Sequence, residues 1–164
     1  METKSINKNV KIGHIHLKVS NLDRSLDFYC DVLGFILKQR ISDQAAFIAA
    51  GDYHHHIGLN TWESSNGIPP HQKSTGLYHL AILYPERKEL ADALKRLQNN
   101  KISLTGASDH GVSEALYLDD PDKNGVELYW DRPQNMWPKD ENQNLTMHTK
   151  SLDLRSLLAE VEKK

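Results

Sequence analysis

The sequence runs through one pattern twice, and the two passes are 65 residues apart. From Lys11 to Val19 the residues alternate, with Ile15, Leu17 and Val19 on one side and His14, His16 and Lys18 on the other. From Gly76 to Tyr84 they alternate again, with Leu80, Ile82 and Tyr84 on one face and His79, Ala81 and Leu83 on the other. Each alternation leads into a helical spacing. Leu22, Leu26, Tyr29 and Leu33 form one buried stripe, with Ser20 or Asn21 as N-cap and Gly34 as the stop. Leu90, Leu94 and Leu97 form the other, with Pro85 placed for the first turn. Three short strands are expected after each helix: 35–42, 45–50 and 54–62, then 102–107, 113–118 and 125–130. The Asp119–Gly125 run supplies the last turn; it lacks the distal Glu of a calcium loop and reads as turn chemistry. A strand, a helix and three strands, repeated, predict an α+β fold made of two βαβββ modules by internal duplication.

The boundaries follow from the punctuation. Residues 1–10 are an N-terminal tail, 11–62 the first module, and 63–75 a polar linker with Gly67 and two prolines. Residues 76–131 are the second module, and 132–164 a polar tail. Leu152, Leu154, Leu157, Leu158 and Val161 in that tail are spaced for a short helix that docks on the body or on a partner chain.

The chain of 164 residues carries 20 Lys+Arg against 22 Asp+Glu, so it offers no basic footprint for nucleic acid or for an anionic membrane surface. No apolar run approaches the roughly 18 residues of a membrane span, and the first fifteen residues lack the apolar core of a secretory signal. The lone thiol, Cys30, sits in the helical stripe as a packed group, which suits a reducing cytoplasm. Nine histidines make imidazole chemistry the first consideration.

His14 and His79 hold equivalent places in the two alternations, and Glu127 lies in the last strand, facing away from Val126, Leu128 and Trp130. Two neutral imidazoles and one carboxylate form a facial N, N, O set that suits Fe(II); Mn, Ni, Co or Zn also bind such donors. The bland alternative is a chance His-x-His on a strand beside a surface carboxylate.

The stretches GHIHLKVSNLDRSLDFYCDVLGF, YHLAI and DPDKNGVELYW resemble the vicinal oxygen chelate superfamily, which spans glyoxalase I, fosfomycin and bleomycin resistance proteins and extradiol dioxygenases. The resemblance implies paired βαβββ modules that form a cup-shaped metal-binding domain, with His14, His79 and Glu127 as the metal ligands. His54-His55-His56-Ile57-Gly58-Leu59-Asn60 is similar to a segment of type I extradiol catechol dioxygenases whose histidine is the acid–base. On Ile57-Gly58-Leu59 that role falls to His55, with His54 and His56 as alternatives, because strand parity puts His55 on the face of Ile57 and Leu59. His110-Gly111-Val112-Ser113, with Ala115 and Tyr117, resembles the second signature of these enzymes. It implies that His110 and Tyr117 hydrogen-bond the catecholate and the oxygen intermediate. Within the superfamily the chain is similar to the catechol 2,3-dioxygenase group, whose well-known members carry two such domains.

The expected function is therefore extradiol ring cleavage of a small aromatic catechol by dioxygen, in a homodimer or larger homo-oligomer with no nucleic-acid or membrane partner. The alternatives are a glyoxalase-like lyase or isomerase, or a thiol transferase, using Ni, Zn or Mn, and a metal-free small-molecule binding (resistance) protein. The lyase class typically takes a second metal carboxylate from the first module's last strand, where this sequence offers histidines and Asn60, with Glu63 just beyond. His16 is expected in the pocket wall. His71 and His148 are expected in solvent, and Trp62 and Trp130 in the core or at its rim.

Overall fold

The computed structural model describes residues 5–71 and 73–162. The first half contains β1 (Ile15–Lys18), α1 (Leu22–Leu26), β2 (Ile36–Ile41), β3 (Ala45–Ala49) and β4 (Ile57–Asn60). The second contains β5 (Leu80–Tyr84), α2 (Arg87–Asn99), β6 (Gly106–Asp109), β7 (Ser113–Asp119) and β8 (Gly125–Asp131). A two-residue strand β9 (Lys150–Ser151) and a short helix α3 (Leu154–Leu158) follow.

The two sheets repeat one topology, β1-β4-β3-β2 and β5-β8-β7-β6, with β9 added to the edge of the second. In each, the first strand runs parallel to the last strand of its own half and the other pairs are antiparallel. This is the α+β arrangement expected from the duplication. Asn21 is the cap of α1: its side chain accepts the Arg24 N–H at 2.9 Å. Beyond Leu26 the helix widens into a π-helical stretch, Asp27–Val32, which keeps both Phe28 and Tyr29 buried. No helix among the described residues is long and apolar enough to cross a membrane.

One core serves both halves. Leu17, Val19, Tyr29, Ile48 and Leu59 from the first cluster with Leu90, Leu94, Leu116 and Leu128 from the second. Polar contacts join them as well. The Tyr29 hydroxyl donates to Asp120 Oδ2 at 3.0 Å, and Arg24 pairs with Asp122 Oδ1 at 2.6 Å. Asp120 also organises its own turn, accepting the N–H groups of Asp122 and Asn124 and the Asn124 amide. The tail reuses that turn: Asp140 accepts from the N–H groups of Asn142 and Asn144 and from the Asn144 amide. Lys123 and Gln143 take the matching left-handed backbone conformation, at φ 66° and 64°.

The tail is anchored twice. Leu157 of α3 is fully buried in the shared core. Arg87 of α2 reaches the Ser156 carbonyl at 3.2 Å, Glu160 at 2.8 Å and Glu114 at 2.8 Å. Glu114 is almost fully buried and also receives Arg132 at 2.7 Å, so one carboxylate serves two guanidinium groups.

Candidate metal centre and its hydrogen-bonded row

Strand register builds the site in the second sheet. Glu127 on β8 lies opposite Tyr117 on β7 and beside Ala81 on β5, so the three share one face. His79 stands just before β5, two residues from Ala81 and therefore on the same side. Its Nε2 is 2.9 Å from Glu127 Oε2. The Tyr117 hydroxyl contacts Glu127 Oε1 at 3.0 Å and His110 Nε2 at 2.8 Å. A row thus runs His110, Tyr117, Glu127, His79 across the sheet. Burial, then the charge and hydrogen bond of Glu127, push the Tyr117 phenol up to about 12, so it remains a donor at neutral pH. The other nitrogen of His79, Nδ1, is buried and makes no hydrogen bond.

His14 stands just before β1, in the place His79 holds before β5. Its ring packs on His55 with centroids 4.5 Å apart. His55 in turn packs edge-on to Phe47 and shares an Nδ1–Nδ1 contact of 2.8 Å with His54. Burial first, then the neighbouring imidazoles of His14, His54, His16 and His56, hold His55 below the usual imidazole range. It is therefore neutral at pH 7 and able to accept a proton.

The parity question over the three consecutive histidines resolves locally, because β4 begins only at Ile57. His54, His55 and His56 lie in the bend before it, where strand alternation does not apply. His56 is committed to the backbone: its N–H donates to the Ile48 carbonyl, its carbonyl accepts the Ile15 N–H, and its Nδ1 accepts the Ala50 N–H. Of the three, His55 is the one whose ring packs on His14.

The row in the first sheet equivalent to Ala81, Glu127 and Tyr117 is His16, Gly58 and Phe47. The first module therefore has glycine where the second has its carboxylate. A Cβ on Gly58 would lie 3.0 Å from the His16 ring, which fills that space and leans toward Trp62. His16 thus covers Gly58 and stays exposed on its outer side. Trp62 is exposed and so lies outside the core. Glu63 lies just beyond β4, 78% exposed and paired with Lys18 at 3.5 Å.

His79 and Glu127 present a nitrogen and an oxygen donor toward each other, which fits two positions of a divalent-ion site. His14 is apart from them, and among the described residues no group of three His, Cys, Asp or Glu side chains is arranged to hold one ion. His71 is exposed, as expected. His148 is not: it is half-buried, with its N–H donated to the His110 carbonyl at 3.2 Å. The sequence gives no signal for that docking because backbone groups make it.

Comparison with known proteins agrees with this architecture. Residues 11–128 match the model of the Glyoxalase/Bleomycin resistance protein/Dioxygenase superfamily. The chain is 44% identical over 157 residues to a catechol-2,3-dioxygenase of Bacillus subtilis (strain 168), covering 95% of this chain and 54% of that protein. It thus spans about half the length of that relative. It is 27% identical over 127 residues to a lactoylglutathione lyase of Neisseria meningitidis serogroup A, covering 73% of this chain and 89% of that protein. A crystal structure of lactoylglutathione lyase from Agrobacterium tumefaciens superimposes with a TM-score of 0.60 at 20% identity, over 76% of this chain and 96% of that one.

Proposed function

The chain belongs to the Glyoxalase/Bleomycin resistance protein/Dioxygenase superfamily, and from that premise we propose that it is an oxidoreductase that cleaves the ring of a catechol-like substrate in the extradiol position. The row His110–Tyr117–Glu127–His79 carries the reading, because it joins the two signature residues to the two candidate ligands through contacts of 2.8, 3.0 and 2.9 Å. The 44% identity to a catechol-2,3-dioxygenase supports it.

In this reading His79 and Glu127 would hold Fe(II) together with His14, the third ligand that the resemblance implies, with Mn, Ni, Co or Zn as weaker fits. An ion held there would supply a shared binding point for catecholate and dioxygen and a path for electrons between them. The protein supplies the proton handling. His55, kept neutral by burial and by the imidazoles around it, accepts a proton from the catechol and returns it later. Tyr117 keeps its hydrogen and donates it to the charge that develops on oxygen. Phe47 and Trp62, with His16 between them, give the first sheet an aromatic wall facing a planar ring.

A glyoxalase-like lyase is the second reading, favoured by the match to nearly the whole length of a lactoylglutathione lyase. It is disfavoured by Gly58, which leaves the first sheet without a carboxylate at the position of Glu127. We also propose that the protein self-associates and works in a reducing cytoplasm. The exposed Ile36, Leu37 and Ile41 of the edge strand β2 and the single thiol Cys30 support those two statements.

Oxygen uptake by protein reconstituted anaerobically with Fe(II), measured on a panel of substituted catechols, tests the main reading. Uptake with a ring-opened product, abolished in His14→Ala and Glu127→Ala, is the expected result. Silence with iron bound, together with turnover of hemithioacetals in the Ni or Zn form, would replace it with the lyase.

A further inference from the structure

His110 sits in the turn between β6 and β7, and the C-terminal tail crosses directly over it. The crossing segment is tied down along its length. Thr146 donates to the Pro138 carbonyl at 2.9 Å, closing the small hairpin built on Asp140. His148 donates to the His110 carbonyl, β9 pairs with Ser108 and Asp109 of β6, and Leu152 donates to the Ala107 carbonyl at 3.3 Å. Buried Leu157 then fixes the far end. Gly111 makes the close approach possible. It has φ +78°, and a Cβ there would lie 2.7 Å from His148 Cε1 and 2.9 Å from Pro138 Cγ.

This strap also touches the His110 ring. Nδ1 lies 3.1 Å from the His148 carbonyl oxygen and 3.3 Å from Thr149 Oγ1, while Nε2 faces the Tyr117 hydroxyl at 2.8 Å. A carbonyl has only lone pairs to offer, so the hydrogen of that contact must come from Nδ1. In the neutral ring Nε2 then carries the lone pair and can only accept. We infer that the strap from Pro138 to Ser151 is a positioning element of the site, which fixes His110 as its Nδ1–H tautomer and so makes its Nε2 a hydrogen-bond acceptor for the Tyr117 hydroxyl.

The consequence falls on Tyr117, which has one hydrogen and two acceptors, His110 Nε2 and Glu127 Oε1. When Glu127 is engaged elsewhere, His110 Nε2 holds the hydrogen until a stronger acceptor, charge developing on an oxygen in the site, draws it away. When Glu127 takes it, Nε2 is left free. His110 thus sets which way the Tyr117 hydroxyl points. This adds a direction to the resemblance, which implies only that both residues hydrogen-bond the catecholate and the oxygen intermediate. Only the use of that hydrogen on a ring-cleavage intermediate rests on the proposed function; the tautomer does not.

The test uses the full chain, ¹⁵N-labelled, without metal or substrate, at a pH of about 8.5 where imidazoles are neutral. Long-range ¹H–¹⁵N correlation reads which ring nitrogen carries the hydrogen, and His110→Asn identifies the signal. The expected result is a protonated Nδ1 and a bare Nε2 at His110, retained in Thr149→Val because the carbonyl remains. Gly111→Ala pushes the strap away, and His148→Pro removes its N–H bond to residue 110 without altering the turn. In both, most of the His110 population is expected to shift to the Nε2–H form that imidazoles prefer in water. An Nε2–H tautomer in the parent protein, its loss in Thr149→Val alone, or an unchanged tautomer in both strap variants would each overturn the inference. Failure of the oxygen-uptake experiment would leave it standing, so the two readings fail separately.

Discussion

Glu127 and Gly58 are the same position in two copies of one sheet. Each sits on the last strand of its module, beside the first strand and opposite the third, yet one supplies a carboxylate and the other a bare Cα under the His16 ring. Of these two symmetric places, only the second carries a carboxylate. The candidate donor set is therefore two histidines related by the repeat and one carboxylate that breaks it.

Metal binding should follow that asymmetry. Glu127→Ala, His79→Ala and His14→Ala are each expected to weaken Fe(II) affinity more than about 100-fold, beyond the 10–100-fold typical of supporting groups. Competition with a chelating dye under anaerobic conditions measures it. An unchanged affinity in His14→Ala would remove that residue from the donor set, which matters because His14 packs on His55 rather than on the other two.

Tyr117→Phe removes the hydroxyl that contacts both His110 and Glu127 but keeps the ring in the sheet. For one donor aimed at a developing oxyanion, kcat should fall about 10²-fold, with much less change in KM. Steady-state oxygen uptake separates the two constants.

Glu114→Ala strands two guanidinium groups, Arg87 and Arg132, that now converge on one buried carboxylate. Removing one side of a buried ion pair costs about 3–5 kcal/mol, and urea denaturation should show that loss. Glu114 and Tyr117 are three positions apart on β7 and so face opposite sides of the sheet, and a residual folded fraction should keep its Fe(II) affinity.

Asp109 gives the acid limb of stability. Burial alone would raise its carboxyl, but the Gly111 N–H, the Arg132 guanidinium and His148 outweigh burial and hold it below the usual range. The stabilisation is therefore complete above the ordinary carboxylate range and is lost as pH falls through the lower folded-state value. The stability difference between the parent protein and Asp109→Asn should be constant above about pH 5 and shrink below about pH 4. Denaturant midpoints taken across that range check it.

Much of this was legible in the residues. The 65-residue offset places Ile15 and Leu80 at the head of equivalent strands, and Asn21 and the Asp120 turn behave as their side-chain chemistry dictates. What escaped was made by backbone. The Lys150–Ser151 strand has no alternation to read, and it pairs with residues about 40 positions away through main-chain groups alone. The bend at His54–His56 likewise follows from bonds to Ile48 and Ile15, and it turns an expected strand start into a cluster of imidazoles. The widening of the first helix leaves the Leu22–Leu33 spacing intact, so periodicity alone reads it as an ordinary helix.

The cross-module latch, Tyr29 to Asp120 and Arg24 to Asp122, also orders events in time. Its partners are 91 and 98 positions apart in sequence. Closing loops of that length is entropically costly, and contacts of this kind slow folding. During synthesis the first βαβββ unit can pair its strands at once. Its helix keeps a buried phenol without a partner until Asp120 and Asp122 leave the ribosome. An amino-terminal copy that has emerged alone therefore lacks the partners of Tyr29 and Arg24, and the part of the shared core that the second copy covers stays open until that copy follows.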